Sequence, residues 1–369
     1  MFKKRIPENK QRVITALVIV IAPLNIQAVD LSGGITLLGQ SATDQRVEND
    51  ITASIDLGIT WPSSNGRWYM YLEGNNTPDD RGVPTLLIES NADAGTALDK
   101  DREGRLQLSE LNYQFSLSQN SSLVLGMLDA SAYMDSSKIT NDENTQFIGV
   151  SFVNNPTIEF PDYALGLVQN INFDTHKSLS FILTSSNGLA DNTNVSYGQL
   201  VNIDEPDKGM FFATRYGYET KNSLLGLGVW THTAPHESFD GLSNKRKNYG
   251  AYVVSGRKWK HHAINYRLGI ANPDVTAAHQ FIALTYQYTW QDWTFGAASS
   301  KITLSDQVDS LTMDNTQQTE VYLRHEVSPG YFITGSLQHL VNSGFDASNE
   351  IYDDRIYIST IRMSYVFSQ

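Results

Sequence analysis

Six charged residues stand out by their spacing. Arg67, Glu110, Arg215, Arg267, Arg324 and Arg362 each occupy the polar phase of a short run in which apolar and polar residues alternate. The same phase carries Asp56, Tyr69, Tyr71, Glu73, Asn112, Glu219, Asn265, Glu320, Glu326 and Gln338. A period of two places such residues on one face of a strand. Guanidinium groups, carboxylates, amides and phenols together offer donors, acceptors and flat aromatic surfaces. That mixture suits a neutral polyhydroxylated solute. A one-sided ring of Arg or Lys would instead select anions.

Other chemistries find little support. The chain has no cysteine, which removes disulfides and thiol catalysis. Ser186-Asn187-Gly188 is part of a barrel-phospholipase signature, but Thr184 stands where its histidine base belongs, so the serine would not be activated. The eight histidines are dispersed, with His232 and His236 at a strand end and His261-His262 in a turn, and show no zinc spacing. Acidic clusters at Asp79-Asp80, 99–103 and Asp142-Glu143 lack a regular calcium-ligand pattern. No catalytic residue, cofactor or metal is expected. A formal charge of −13 argues against nucleic acid.

The elements that carry these residues are strands. Ile51 to Trp61 alternates cleanly, with Ala53, Ile55, Leu57, Ile59 and Trp61 on one side and Thr52, Ser54, Asp56, Gly58 and Thr60 on the other. Sixteen candidate strands follow this pattern, near 31–40, 51–61, 67–74, 105–117, 122–129, 163–173, 179–186, 209–219, 223–232, 248–257, 262–271, 279–290, 293–303, 318–327, 331–341 and 355–367. Their connections alternate between short and long. A soluble sandwich has no reason to sort its loops by parity, whereas a transmembrane β-barrel has short turns on one side and long loops on the other. The expected fold class is therefore all-β, an outer-membrane barrel of about sixteen antiparallel strands over residues 29–369. Trp61, Trp68, Trp259, Trp290, Trp293, Tyr331 and Tyr365 near strand ends fit interfacial girdles.

Residues 1–28 read as a secretory signal peptide: a basic start, an apolar run from Val13 to Leu24, and Ala28 at the cleavage point. They carry five basic and one acidic side chains, so their removal would leave the mature chain at −17. The alternation breaks off between Asp129 and Gly166, where Pro156 and Pro161 cannot serve a ladder yet Phe147, Phe152, Ile158 and Phe160 demand packing. A loop of that length is usually functional. A sixteen-stranded barrel is too wide for its own side chains to fill, so residues 130–162 are expected to fold into it. Asp142, Glu143, Asn154, Asn155, Glu159 and Asp162 then become candidates for a constriction, with Arg67, Glu110, Arg215, Arg267, Arg324 and Arg362 lining the channel wall.

The stretch Phe152-Val-Asn-Asn-Pro-Thr-Ile-Glu-Phe-Pro-Asp-Tyr-Ala-Leu-Gly166 resembles the signature loop of the carbohydrate-selective porin (OprB) family, as do the preceding Asp129 to Asp142 and Asn144-Thr145-Gln146-Phe147. Leu337-Gln338-His339-Leu340-Val341-Asn342-Ser343-Gly344 is similar to a second family segment, with Gly335, His339 and Ser343 where the family has proline, tyrosine and proline. The resemblance implies an outer-membrane porin that passes mono- or oligosaccharides by diffusion, without enzymatic activity. Its partners would be sugar solutes, outer-membrane lipid and the barrel-assembly machinery, in a monomer or homotrimer. A lipid-hydrolysing barrel or a non-conducting structural barrel are the alternatives.

Overall fold

The computed structural model describes residues 29–93, 104–189, 197–204, 207–239, 244–308, 315–343 and 355–368. The expected signal peptide, the acidic run 99–103 and Gly344 of the second OprB-like segment lie outside them. Among the described residues sixteen strands follow in order. The first eight are β1 (Asp30–Ala42), β2 (Asp50–Ser63), β3 (Gly66–Asn75), β4 (Arg105–Ser118), β5 (Ser121–Leu128), β6 (Ala164–Asn172), β7 (Lys177–Gly188) and β8 (Met210–Glu219). The second eight are β9 (Ser223–Glu237), β10 (Lys245–Trp259), β11 (His262–Ala271), β12 (Ala278–Trp290), β13 (Trp293–Leu304), β14 (Thr316–Ser328), β15 (Tyr331–Val341) and β16 (Arg355–Ser368). Each pairs antiparallel with its sequence neighbours, and β1 pairs with β16 from Ser32–Ser368 to Ala42–Ile358, closing the barrel.

Period-two patterning decides which face is which. Ile35, Leu37, Ile55, Leu268, Ile282, Leu284, Leu323, Ile333, Leu337 and Ile361 are between 41% and 64% exposed on the outside. An apolar belt of this extent has no place in water, and in a bilayer it is the lipid-facing surface. Alternate residues such as Thr36, Thr52, Arg267, Thr285, Glu320 and Gln338 are buried within. At the short-turn end the outer face carries stacked aromatic pairs: Trp61 on Trp68, Trp293 on His325 and Tyr331 on Tyr365, the last two with ring centroids 4.2 Å apart. Amphipathic rings settle at a membrane interface for this reason.

Among the described residues three short α-helices, α1 (Val83–Leu86), α2 (Ser131–Met134) and α3 (Val150–Val153), lie in the β3–β4 and β5–β6 connections. Two expectations about strand ends are corrected. β9 continues to Glu237, past its expected end at 232, so His236 as well as His232 belongs to the wall, and His232 is only 2% exposed. β7 runs on to Gly188, two residues past its expected end at 186, and Ser186 Oγ accepts the Gly209 N–H at 2.9 Å.

Leu284 sits at the middle of β12 with its side chain outward. Leu284→Arg should cost about 2–4 kcal/mol of folding stability in a bilayer. Reversible urea unfolding in lipid vesicles measures this, and Thr285, which points inward, provides the contrast.

Candidate functional site

The β5–β6 connection does not cap the barrel; it lies inside. Its first and last turns pack on the inner wall, where Met134, Ile158, Tyr133 and Phe160 meet Val124, Val168, Ile182, Phe211, Trp230 and Tyr252 of β5 to β10. Farther round, Phe147 and Phe152 pack on Ala298 of β13 and Tyr322 of β14, with the Phe147 and Tyr322 rings 4.9 Å apart. The apolar residues that signalled packing in the sequence therefore find it on the barrel's inner surface. Polar groups fix the register. Glu320 accepts the Ile148 and Gly149 N–H groups at 3.2 and 2.9 Å, and Gln287 donates to the Ile139 carbonyl at 2.8 Å.

Arginines do most of the anchoring. Arg267 is fully buried and donates to Asp135 Oδ1 at 3.0 Å, the Asp135 carbonyl at 3.1 Å, Thr140 Oγ1 and Asn141 Oδ1 at 2.5 Å each, and the Phe152 carbonyl. The Asp135 side chain is equally buried. Burying a guanidinium is tolerable only when its donors are satisfied and a carboxylate balances its charge. Arg362, 2% exposed, donates to the Glu143 carbonyl and, at 2.6 Å, to the Gln146 carbonyl. Arg324 holds the Thr145 carbonyl and Thr294 Oγ1. These three point inward as the alternation implies, but the loop covers their donor groups. They position the loop rather than present free charge to an open channel.

The remaining candidates divide similarly. Glu110, beside a bulge in β4, accepts the Asp129 N–H at 3.1 Å and so fixes the loop's first residue. Asp142 accepts the N–H groups of Asn144 and Thr145 at 3.1 and 3.2 Å, an Asx turn within the loop. Asn155 is 1% exposed, with its N–H on Asp135 Oδ2 and its Nδ2 on the Leu268 carbonyl, so it is an internal brace and not a constriction residue. Glu159 accepts from Asn248 Nδ2 at 2.7 Å and pairs with His236 at 2.9 Å, tying the loop's far limb to β9 and β10. Burial works against its charge, but the His236 hydrogen bond wins and holds the Glu159 carboxyl below its usual range. Arg67 is exposed near the short-turn end and donates to Gln114 Oε1 at 2.9 and 2.6 Å. Arg215 of β8 is half-buried and its Nε has no acceptor.

Glu143, Asn154 and Asp162 do reach an open space. With the loop laid along β5 round to β1, the gap left against β2 to β4 is a cavity of about 310 Å³. Asp56, Glu73, Asp93, Asp129, Glu143 and Asp162 line it, with Arg105 as its one cation among the described residues. Arg105 lies 3.8 Å from Glu73, and the Tyr163 hydroxyl donates to the same carboxylate at 2.8 Å. Asp93 comes from a segment that sequence reasoning missed. After α1 the β3–β4 connection also turns inward, where Gln318, Gln338 and Asn91 bond to Glu89, Ser90 and Gln40. The apolar run Val83 to Ile88, whose Val83 and Leu87 pack on Leu340, Ile356 and Ile358, was the available signal. Burial, with Asp56 beside it, pushes the Asp93 carboxyl up to about 7. Burial and Asp93 push Glu143 well above its ordinary value. Among the described residues no group of three His, Asp or Glu side chains is placed to hold a metal.

No family model matches the chain. A stretch of 184 residues is 29% identical to an uncharacterized protein of Aquifex aeolicus, covering 50% of this chain and 58% of that protein. Among solved structures, OprB of Pseudomonas putida superposes with a TM-score of 0.66 at 10% identity, over 92% of this chain and 94% of that one. A substituted Rhodopseudomonas blastica porin gives 0.57 at 13% identity, over 92% and 100%. The fold is the porin fold. Its inward loop occupies the lumen of a barrel built for a bilayer.

Arg267→Ala would strand Asp135 in a buried site without its cation, at an expected cost of about 3–5 kcal/mol. Single-channel recordings should then show higher and noisier conductance as the loop loosens; an unchanged trace would show that Arg267 does not pin it. The Asp93 carboxyl is neutral below about pH 7 and charged above it. Cation preference, read from reversal potentials in a salt gradient, should rise from about pH 6 to about pH 8, and Asp93→Asn should flatten that rise.

Proposed function

We propose that this chain is an outer-membrane porin for passive diffusion of small carbohydrates, performing no catalytic step. The observation that carries the reading is the polar cavity of about 310 Å³ left between the inward loop and β2 to β4. It lies at the lower end of the range for small-ligand sites, which suits one or two sugar rings better than a longer oligomer. Serine, asparagine and tyrosine side chains stand among its carboxylates, so a hydroxylated solute exchanges water hydrogen bonds for wall ones. Likeness to OprB of Pseudomonas putida in fold supports the same class of solute. Glu143, Asn154 and Asp162 of the loop, with Asp56, Glu73 and Asp93, set the narrowest passage. The apolar outer belt contacts outer-membrane lipid, and the aromatic end of β16, Tyr365 and Phe367, is the segment that barrel-assembly machinery would read.

Liposomes carrying the purified protein should swell quickly in pentoses and hexoses, more slowly in a disaccharide and barely in a trisaccharide. Equal rates across the series would contradict a constriction of this size, and no swelling at all would contradict a porin.

A further inference from the structure

Most cations on the short-turn rim have partners. Lys177 pairs with Asp174 at 3.4 Å, Lys138 pairs with Glu219, and Lys258 Nζ donates to the Lys138 carbonyl at 3.4 Å. Three others do not: Lys221 of the β8–β9 turn, Arg257 of β10 and Lys260 of the β10–β11 turn. All three are exposed, and none pairs with a carboxylate among the described residues. Arg257 is the informative one. Tyr252 and Val254 of β10 are buried on the inner face, and a Cβ on Gly256 would lie 3.2 Å from Ile139 of the loop. These residues face the lumen, so Arg257 and Trp259 face lipid. Directly opposite Arg257 on that outer face stand Ser223 of β9 and Ile264 of β11, neither of them charged.

Arg257 lies two residues, roughly 7 Å along the strand, from Trp259 toward the bilayer centre. A guanidinium on the lipid face is costly there unless it reaches a counter-charge. Around it the outer surface is built of rings. Trp259 stacks on His262 with centroids 5.4 Å apart, His262 lies 5.1 Å from Tyr288, and the Tyr286 hydroxyl bonds His262 Nδ1 at 2.7 Å. Register makes these one shelf, with Trp259 opposite His262 and His262 opposite Tyr288, and with Trp290 two residues further along β12. The two-residue turn Lys260-His261 closes the shelf at its water-facing edge. The Lys258 N–H donates to the Asn222 carbonyl at 2.8 Å, which brings the turn carrying Lys221 alongside. Aromatic faces pack on acyl chains, and indole N–H and phenol O–H groups donate to the polar boundary above them.

We propose that Lys221, Arg257 and Lys260, with the Trp259, His262 and Tyr288 rings, form a site on the barrel's outer face for a phospholipid of net negative charge in the periplasmic leaflet. The lipid phosphate supplies the counter-charge that Arg257 lacks within the protein. Two further unpaired cations beside it select a headgroup without an amine of its own, because a zwitterionic lipid would bring an ammonium against Lys221 and Lys260. The site requires the barrel in its bilayer and is independent of the solute the channel passes.

Tryptophan emission reads the site, since Trp259 and Trp290 lie on the shelf and are 42% and 55% exposed. The full-length protein in phosphatidylcholine vesicles is titrated with brominated phosphatidylglycerol or brominated phosphatidylcholine, whose bromines quench the indoles they touch. Phosphatidylglycerol should bind roughly tenfold or more tightly than phosphatidylcholine. Arg257→Gln and Lys260→Gln should each lower that preference about fivefold, as expected for one cation near a lipid surface. Lys177→Gln, which removes a paired cation from the same rim, should leave it unchanged, and circular dichroism checks that each variant keeps its strands. Equal quenching by the two lipids in the unmodified protein would overturn the site, as would a preference that survives Arg257→Gln. An equal loss in Lys177→Gln would overturn it too, because rim charge of any kind would then suffice.

Discussion

In hydrocarbon no water is available to a backbone N–H or C=O, so each strand must pair on both sides. The β1–β16 ladder supplies the last of these pairings, and everything else about the molecule answers to it. Closure at sixteen strands leaves an interior too wide for wall side chains to fill. The chain cannot build a core from its own inner faces and instead draws the β5–β6 connection, with part of β3–β4, inward to pack on them. The clusters around Met134 and Phe147 are therefore cores formed between a loop and a wall, with lipid on the far side of that wall.

Holding a loop of mostly irregular backbone against a polar wall raises a second problem. Its carbonyl and N–H groups are buried and need partners. Wall side chains provide them: Arg267, Arg324 and Arg362 reach carbonyl oxygens, while Glu320 and Glu110 receive N–H groups. The consequence for function is a division of charge. Arginines concentrate where the loop touches the barrel, and the open side against β2 to β4 keeps the carboxylates. The cavity beside the loop is thus acidic even though the inner faces of the barrel carry both signs.

The strands were legible because a barrel in lipid enforces period two on every one of them, and because loop length sorts by side. All sixteen elements lie where alternation put them, with ends that differ by a few residues, most at β9 and β10. The inward loop was legible from Phe147, Phe152 and Ile158, apolar residues with no ladder to join. What alternation could not say is whether an inward residue meets water or the loop. Arg267 and Arg362 share the phase of Asp56 and Glu73, yet the first two are sealed and the second two line the cavity; only the path of residues 135–153 distinguishes them. Asn155 shows the same limit, since its neighbour Asn154 reaches the cavity. Asp93 and the inward turn after α1 escaped because a short apolar run inside a connection carries no periodicity.

The account comes down to where the passage lies, and the absence of native cysteine makes that directly measurable. Ala132 is exposed on the cavity side of the loop, whereas Ala298, also inward, is 5% exposed beneath Phe147 and Phe152. A charged, membrane-impermeant thiol reagent applied to single cysteine variants should cut the current through Ala132→Cys channels within seconds and leave Ala298→Cys channels unaffected. Rapid block at 298 with none at 132 would place the open path on the side the loop is said to fill, and would contradict the account.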